Sequence, residues 1–149
     1  MSQLSVKQLL ELAVFNKVVE EQTRQHPLRQ LFWECTLRCN MKCQHCGSDC
    51  KTVAETPDMP KDDFLKVLSR VREVYDPHKI NITIPGGEPL MRNDLEECGR
   101  AIYDMGFPWG IVTNGFALTE QRFKGLLKSG IHAMTISLDG IGEDHDWMR

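Results

Sequence analysis

The chain has 149 residues, of which 41% are hydrophobic and 26% are charged, and its formal net charge is −3. This composition is typical of one soluble globular domain with a sizeable core, and the mild acidity gives no support for a nucleic-acid partner. No apolar run is long enough for a membrane span, and the first residues lack the uninterrupted apolar core of a signal peptide. We therefore expect a cytoplasmic protein with neither a membrane nor a nucleic-acid partner.

An amphipathic helix is predicted at the start of the chain. The segment SVKQLLELAVFNKVVEEQ carries apolar residues at helical spacing, at Val6, Leu9, Leu10, Ala13 and Val18. We expect this helix to pack against the domain. Residues 1–28 are accordingly assigned to the helix and its lead-in, and residues 29–149 to the domain that follows.

Strands and helices are predicted to alternate along the rest of the chain. The predicted strands are LFWECTL, KINITIPGG, WGIVTNG and HAMTISLDG, and the predicted helices are MPKDDFLKVLSRVREVY, NDLEECGRAIYDMG and TEQRFKGLLKSG. Thr119 is suited to cap the last of these helices and Gly130 to end it. About four βα units with short connections indicate an α/β fold with a parallel sheet.

Apolar positions within these segments predict which side chains lie between sheet and helices. Strand alternation selects Leu31, Trp33, Cys35 and Leu37, then Ile80, Ile82 and Ile84, and finally Met134, Ile136 and Leu138. Helical spacing selects Phe64, Leu68, Val71 and Tyr75, followed by Leu95, Cys98 and Ile102. Cys35 and Cys98 are therefore predicted to be small core residues.

The most distinctive sequence pieces all follow predicted strands. They read CTLRCNMKCQHCGSDC, PGGEP, TNG and SLDG in chain order. In parallel α/β sheets and barrels, ligands bind at the carboxyl ends of the strands. The sequence thus predicts a single site at that edge.

Five of the six cysteines lie between residues 35 and 50. Because cytoplasmic thiols stay reduced, we expect metal binding and not disulfides. Cys39, Cys43 and Cys46 form a CxxxCxxC pattern that suits an iron–sulfur cubane with one open iron, and Cys50 is a doubtful fourth ligand. Zinc is the alternative, but it prefers four ligands, and without a second knuckle it would have to recruit Cys50, Cys35 or His45.

The cysteine trio followed by GGEP and SLDG, in this order, resembles the radical S-adenosylmethionine (SAM) superfamily. The resemblance runs from about Phe32 to Arg149 and implies the first part of a TIM-like partial (β/α)6 barrel, preceded here by the N-terminal helix. It also implies that Cys39, Cys43 and Cys46 hold a [4Fe–4S] cluster. SAM would chelate the open iron, and its reductive cleavage would give a 5′-deoxyadenosyl radical that abstracts a hydrogen atom.

The resemblance also implies contacts to SAM at the other strand ends. Gly86 and Gly87 would let the backbone approach the methionine ammonium, and Glu88 would either shape that loop or join the contact. A glycine turn without a ligand is the alternative reading of this segment. The remaining contacts would come from Ser137, through the carboxylate or ribose, and from Asn114, for which a simple Asn-Gly turn is the alternative.

His45 and Asp139 each have more than one reading. His45 falls where the family often places an aromatic residue beside the adenine, but it also suits a hydrogen bond near the cluster or a solvent-facing position. Asp139 follows the fourth strand and is equally suited to capping a turn. Residues EDHDWMR are predicted to form a short helix.

The expected function is that of a radical SAM enzyme acting in peptide or protein modification. Haem or cofactor biosynthesis is the alternative within the family. Outside it, we keep a non-catalytic iron–sulfur or zinc module and a ferredoxin-like carrier that uses Cys50. The expected partners are a flavodoxin-like or ferredoxin-like electron donor and a peptide or protein substrate. Because the family barrel has six βα units, we expect the remainder to lie beyond Arg149 and the 149 residues alone to be impaired.

Overall fold

The computed structural model describes residues 4–149. Its regular elements are α1 (Val6–Gln25), β1 (Gln30–Phe32), α2 (Lys61–Val74), β2 (Asn81–Ile84), α3 (Leu95–Asp104), β3 (Trp109–Thr113), α4 (Glu120–Lys128), β4 (Ala133–Ile136) and α5 (Glu143–Met148). Two short 3₁₀ turns, Pro77–Lys79 and Pro89–Met91, precede β2 and α3. The predicted order of helices and strands is confirmed.

The four strands form one parallel sheet in the order β1-β2-β3-β4. The register places Leu31 opposite Ile82, Ile82 opposite Trp109, and Ile111 opposite Met134. Each strand is followed along the chain by a helix, which is the arrangement of successive βα units. The predicted α/β class and parallel sheet are therefore confirmed.

The core lies between the sheet and helices α2, α3 and α4. Ile80, Ile82 and Ile84 are fully buried, as predicted from their alternation. Trp33 stacks on Phe64 of α2 with ring centroids 4.2 Å apart and an interplanar angle of 8°. Leu95, Cys98, Ile102 and Cys35 are fully buried members of the same core, so both thiols predicted to be core residues are confirmed.

Helix α1 differs from the prediction. Its start is fixed by a reciprocal capping box, in which Gln8 N–H donates to the Ser5 hydroxyl and Ser5 N–H donates to the Gln8 side chain. None of its residues is buried, so the prediction that it packs on the domain as an amphipathic helix was wrong for the described residues. The physical reason is that apolar residues lie on several sides of α1, with Leu9 and Leu10 adjacent and Val14 beside Phe15. Across residues 4–149, no helix has the length and apolar character that crossing a membrane requires.

Two further packing predictions were wrong. Ile136 and Leu138 were predicted to face helices, but they are 55% and 73% exposed, because β4 is an edge strand with a neighbour only on its β3 side. Tyr75 was predicted to continue the buried face of α2. Instead, the helix ends at Val74 and Tyr75 takes an extended conformation with an exposed side chain.

Candidate functional site

One cavity lies at the carboxyl edge of the sheet and has a volume of about 230 Å³. The loops after all four strands contribute to it, as the sequence predicted. Its lining includes the predicted residues Cys39, Cys43, His45, Cys46, Gly86, Gly87, Asn114 and Ser137, together with Met41, Ser48, Cys50, Pro85, Val112, Thr113 and Arg149. Glu88 is fully buried and is not among these lining residues.

The two glycines after β2 lie directly against the start of the cysteine loop, residues 36–50. Gly87 N–H donates to the Thr36 carbonyl at 2.7 Å, and Glu88 N–H donates to the Arg38 carbonyl at 2.8 Å. A Cβ atom on Gly86 would lie 2.5 Å from the Thr36 carbonyl oxygen, and one on Gly87 would lie 2.3 Å from that of Arg38. The absence of side chains here therefore lets one loop approach the backbone of the other, whatever ligand the site takes.

Glu88 connects the ends of β2 and β3. Its carboxylate accepts from the Thr113 hydroxyl at 2.7 Å, from Asn114 N–H at 2.7 Å and from Leu90 N–H at 3.0 Å. A fully buried carboxylate needs such donors because it has lost its hydration. These hydrogen bonds tie the loop after β2 to the end of β3.

Asp58 holds the beginning of the cysteine loop from the segment before α2. The buried Thr36 hydroxyl donates to one oxygen of Asp58 at 2.6 Å, and the Arg38 guanidinium donates to the other at 2.5 Å. Burial alone would raise the pKa of Asp58, but these hydrogen bonds and the positive charges of Arg38 and Arg92 together outweigh burial and lower it. Sequence reasoning missed this contact because twenty residues separate Arg38 from Asp58 and no local pattern relates them.

Arg92 is a second residue that the sequence did not reveal. Its side chain is 3% exposed and donates to the Cys35 carbonyl at 2.7 Å, to the Met59 carbonyl at 3.0 Å and to the Asp94 carboxylate at 2.8 Å. Its guanidinium also lies 5.1 Å from the centroid of the Trp33 ring. Arg92 thereby connects the stretch after β1, the segment before α2 and the N-cap of α3.

The three predicted cluster ligands share the cavity but differ in their surroundings. All six cysteines are free thiols; Cys39 is buried, Cys43 is half-buried and Cys46 is exposed. Burial raises the pKa of Cys39, despite a hydrogen bond from Met41 N–H to its sulfur. Backbone N–H groups of Cys50 and Ser48 lower the pKa of Cys46.

The donor set at the cavity is made of soft sulfur atoms. Between residues 4 and 149, no three His, Cys, Asp or Glu side chains stand close enough together to hold a metal ion in the present arrangement. Several free thiols nevertheless line one cavity on one loop. Thiolates are the ligands that iron–sulfur clusters take, so the residues present fit that group.

The C-terminal residues fold back onto the cysteine loop. Gln44 N–H donates to the Met148 carbonyl at 2.9 Å, and the Arg149 guanidinium donates to the Cys43 sulfur at 3.5 Å. Arg149 also forms an ion pair with Asp139 at 2.5 Å, and Nε2 of His45 lies 3.8 Å from the same carboxylate. His45 and Asp139 are thus neighbours, and Arg149 is a cavity residue that no sequence pattern predicted.

Asn114 and Ser137 reach the cavity from β3 and β4. The Asn114 side chain donates to the Asn40 side chain at 2.9 Å and accepts from Phe116 N–H at 2.9 Å, which is the Asx turn expected of an Asn-Gly pair. Ser137 N–H donates to the Thr113 carbonyl at 2.9 Å, which continues the pairing of the two strands to the cavity.

Comparisons with known proteins agree on one family. The family model described as Radical SAM superfamily matches residues 33–149. The chain is 32% identical over 117 residues to the Fe-coproporphyrin III synthase of Methanosarcina barkeri (strain Fusaro / DSM 804), covering 78% of this chain and 29% of that protein. It is 31% identical over 122 residues to the AdoMet-dependent heme synthase of the same organism, covering 81% and 34%. The chain therefore spans about a third of the length of these relatives.

Solved structures show the same fold. Streptococcus suis SuiB bound to S-adenosylmethionine superposes with a TM-score of 0.67 at 18% identity, covering 99% of this chain and 35% of SuiB. BtrN in complex with AdoMet and 2-DOIA superposes with a TM-score of 0.64 at 21% identity, covering 81% of this chain and 49% of BtrN. At these identities the likeness concerns the fold alone.

Proposed function

The chain belongs to the radical SAM superfamily, and from this premise we propose that it forms the cluster-binding part of an enzyme that generates a 5′-deoxyadenosyl radical. Proteins of this superfamily are enzymes that use a [4Fe–4S] cluster together with S-adenosylmethionine. Because the chain spans about a third of its curated relatives, the activity of the whole protein is part of the proposal. We also propose that residues 1–28 form a lead-in and that the barrel begins at residue 29.

The observation that carries the proposal is the set of free thiols at the cavity. We assign Cys39, Cys43 and Cys46 as the cluster ligands, because they line one cavity at the carboxyl edge of the sheet. When bound, the cluster supplies the electron that cleaves S-adenosylmethionine to methionine and the radical. The role of the cysteine loop is to present thiolates and to leave space beside them, and Asp58 and Arg92 hold its base in place.

The other cavity residues are assigned to S-adenosylmethionine. Backbone groups of Gly86 and Gly87, the side chains of Asn114 and Ser137, and the ring of His45 line the same cavity as the thiols. Glu88 belongs to this set through the loop that it shapes, since its carboxylate is occupied by three protein donors. These groups offer hydrogen-bond donors and acceptors together with one ring, as a polar nucleoside with an amino-acid tail requires.

For the substrate, we propose a peptide or protein, with haem or a related tetrapyrrole as the second candidate. The sequence pattern around the cysteine loop resembles a branch of the superfamily that contains peptide and protein maturases and also some haem-pathway enzymes. The identity of about a third with two proteins named as haem-pathway synthases favours the second. The remaining proposed partner is a flavodoxin-like or ferredoxin-like electron donor, and the proposed compartment is the cytoplasm.

The test is anaerobic reconstitution of the full-length gene product with ferrous iron and sulfide. We expect iron and sulfide to be bound, and 5′-deoxyadenosine to form after S-adenosylmethionine and dithionite are added. Cys43→Ala should lose both, whereas Cys98→Ala, which removes a thiol from the core, should retain both. Zinc bound without sulfide would support the binding-module alternative, and a cluster that yields no 5′-deoxyadenosine would support the electron carrier.

Substrate class is tested on the same reconstituted protein. Titration with iron-coproporphyrin, followed by visible absorption, should show no saturable binding if a peptide is the substrate. Saturable binding at about one porphyrin per chain, together with porphyrin-dependent 5′-deoxyadenosine, would instead establish the tetrapyrrole candidate.

A further inference from the structure

We propose that Cys50 is an exchangeable fourth ligand of the cluster, which binds the open iron when S-adenosylmethionine is absent and releases it when S-adenosylmethionine binds. Cys50 can act in this way only if the proposed function holds, since both need the cluster. No family resemblance assigns this residue. Its position relative to the other thiols suggests the role.

Cys50 faces the cavity and not the hydrophobic core. Its residue is 8% exposed and lines the same cavity as Cys39, Cys43 and Cys46. The two other buried cysteines outside that trio, Cys35 and Cys98, belong to the cluster of apolar core residues, and Cys50 does not. The usual explanation of a buried thiol, that it is a small apolar filler, therefore applies to those two and not to Cys50.

The backbone fixes Cys50 beside the first cluster ligand. Cys39 N–H donates to the Lys51 carbonyl at 2.8 Å, and Lys51 N–H donates to the Leu37 carbonyl at 3.3 Å. These bonds form a parallel bridge between Arg38 and Lys51 outside the main sheet. The end of the cysteine loop is thus fastened to its beginning, so the loop is closed and residue 50 remains at the cavity.

The chain adopts an uncommon conformation to return there. Asp49 has a φ of +44°, in the left-handed region that residues other than glycine adopt at a cost. Across this turn, the Cys50 thiol donates to the Ser48 carbonyl at 3.8 Å. Residues 46–50 therefore turn back so that a further thiol, Cys50, lines the same cavity as Cys46 and Cys39.

The exchange of ligands at the open iron transfers a proton but no electron. A [4Fe–4S] cubane takes four thiolates when four are available. As the Cys50 sulfur binds the iron, its proton leaves to the solvent. When the amino and carboxylate groups of S-adenosylmethionine take that iron, the sulfur–iron bond breaks and the sulfur regains a proton. Cys50 would thereby keep the fourth iron from being lost while the co-substrate is absent.

The experiment compares the reconstituted wild-type protein with Cys50→Ala and with Cys98→Ala, the control that removes a buried thiol from the core. Each is exposed to mild oxidation and an iron chelator without S-adenosylmethionine, and iron per chain is counted. We expect wild type and the control to keep four irons per chain and Cys50→Ala to keep three. The three-iron cluster of Cys50→Ala should be visible as its own signal in electron paramagnetic resonance. Added S-adenosylmethionine should protect all three proteins equally.

A binding measurement gives an independent readout. If Cys50 occupies the iron in about nine tenths of the molecules, its removal should tighten S-adenosylmethionine binding about tenfold. Thermal unfolding of the apo proteins shows whether Cys50→Ala folds, and Cys50→Ser, which keeps the size of the side chain, replaces it if it does not. Equal iron retention and equal affinity in wild type and variant would overturn the role of Cys50. Failure of the wild type itself to bind a cluster would overturn the proposed function as well.

Discussion

Gly87 is the residue at which the cysteine loop and the loop after β2 come closest. A Cβ atom there would lie 2.3 Å from the Arg38 carbonyl oxygen and 3.1 Å from the Cys39 Cβ. Backbone atoms cannot rotate away as the end of a side chain can, so the loops themselves would have to separate. A single methyl group at this position therefore tests whether the site depends on that contact.

We predict that Gly87→Ala lowers the free energy of unfolding by about 1–3 kcal/mol, the usual cost of inserting a group where there is no space. Iron retained after reconstitution should fall too, because the displaced residue is next to Cys39. Gly47→Ala is the matched control, since a Cβ atom at Gly47 would meet nothing within 4 Å. Urea unfolding and iron analysis measure both effects, and equal behaviour of the two variants would contradict the prediction.

Asp94 makes stability depend on pH. Two hydrogen bonds from Arg92, at 2.8 and 2.9 Å, lower the pKa of Asp94 below its ordinary value of 3.8, and burial opposes them. A carboxyl group whose pKa is lower in the folded state than in the unfolded state stabilises the folded state at pH values above the unfolded-state pKa. That stabilisation is lost as pH falls through the folded value.

We therefore predict that the wild-type free energy of unfolding decreases between about pH 5 and pH 2, with Asp94 contributing a slope of at most about 1.4 kcal/mol per pH unit. Asp94→Asn should be less stable near neutral pH and should show a flatter acid limb. Asp62→Asn, at an exposed position in the first turn of α2, is the control. Parallel curves for wild type and Asp94→Asn in urea titrations from pH 2 to 7 would show that the Arg92 contact is not the cause.

Among the elements, α3 and β3 are in close contact at Gly99. A Cβ atom on Gly99 of α3 would lie 2.0 Å from Cζ2 of Trp109 on β3. The helix can pack this close to the strand only because Gly99 has no side chain. The Trp109 indole is fully buried, and its N–H donates to the Ser129 carbonyl at 3.4 Å. It has no free space into which to move.

We predict that Gly99→Ala destabilises the protein by about 1–3 kcal/mol through this overpacking. Inside a helix, replacing glycine with alanine normally increases stability, so the predicted effect has the opposite sign. Gly125→Ala on α4 is the matched control, because its nearest neighbour is the flexible Glu96 side chain at 3.3 Å. The control should be neutral or more stable by about 0.5–1 kcal/mol. Thermal and urea unfolding of the two variants compare them directly, and a stabilised Gly99→Ala would refute the packing described here.

Element order was predictable because its signals are local. The alternation of Ile80, Ile82 and Ile84 and the helical spacing of Leu95, Cys98 and Ile102 each lie within one segment, and both sets are buried. The same rules failed where burial depends on a distant neighbour. Periodicity shows which residues of α1 or β4 are apolar, but not whether another element covers them.

The candidate site was predictable in its location and less so in its construction. Parallel strands bring their carboxyl ends to one edge, so four short motifs were enough to locate the cavity. The contacts that hold it, from Asp58 to Arg38 and from Arg92 to Cys35, join residues far apart in sequence. The sequence around an acidic or basic residue does not indicate which distant residue it will contact, so sequence patterns could not predict these contacts. The roles of Cys39, Cys43 and Cys46 remain predictions.

For the molecule as a whole, β4 is one of the two edges of the sheet. It pairs with β3 on one side only, and Ile136 and Leu138 are exposed beside that edge. Unpaired backbone groups on an apolar strand tend to pair with another chain. The 149 residues made alone therefore have a surface suited to self-association.

We predict that the 149-residue chain forms oligomers in solution and that Ile136→Lys reduces them, because a charge on an edge strand opposes pairing. Val74→Lys, which places the same charge at an exposed apolar position at the end of α2, is the control. Light scattering at several concentrations measures the mass of each. A monomeric wild-type chain, or equal masses for the two variants, would show that β4 is not the contact.

Glu88 restricts how the sequence can diverge. One of its oxygens accepts from Leu90 N–H and the Thr113 hydroxyl, and the other accepts from Asn114 N–H. Exchange for glutamine would turn one of these oxygens into an amide nitrogen, so that a donor would face a donor in a buried place. Substitutions at positions 88 and 113 are therefore expected to occur together in descendants of this chain. Glu88 contacts only the backbone of residue 114, so it does not restrict the side chain at that position. The residue types kept at these positions are therefore determined by the structure of the loop as much as by any reaction in the adjacent cavity.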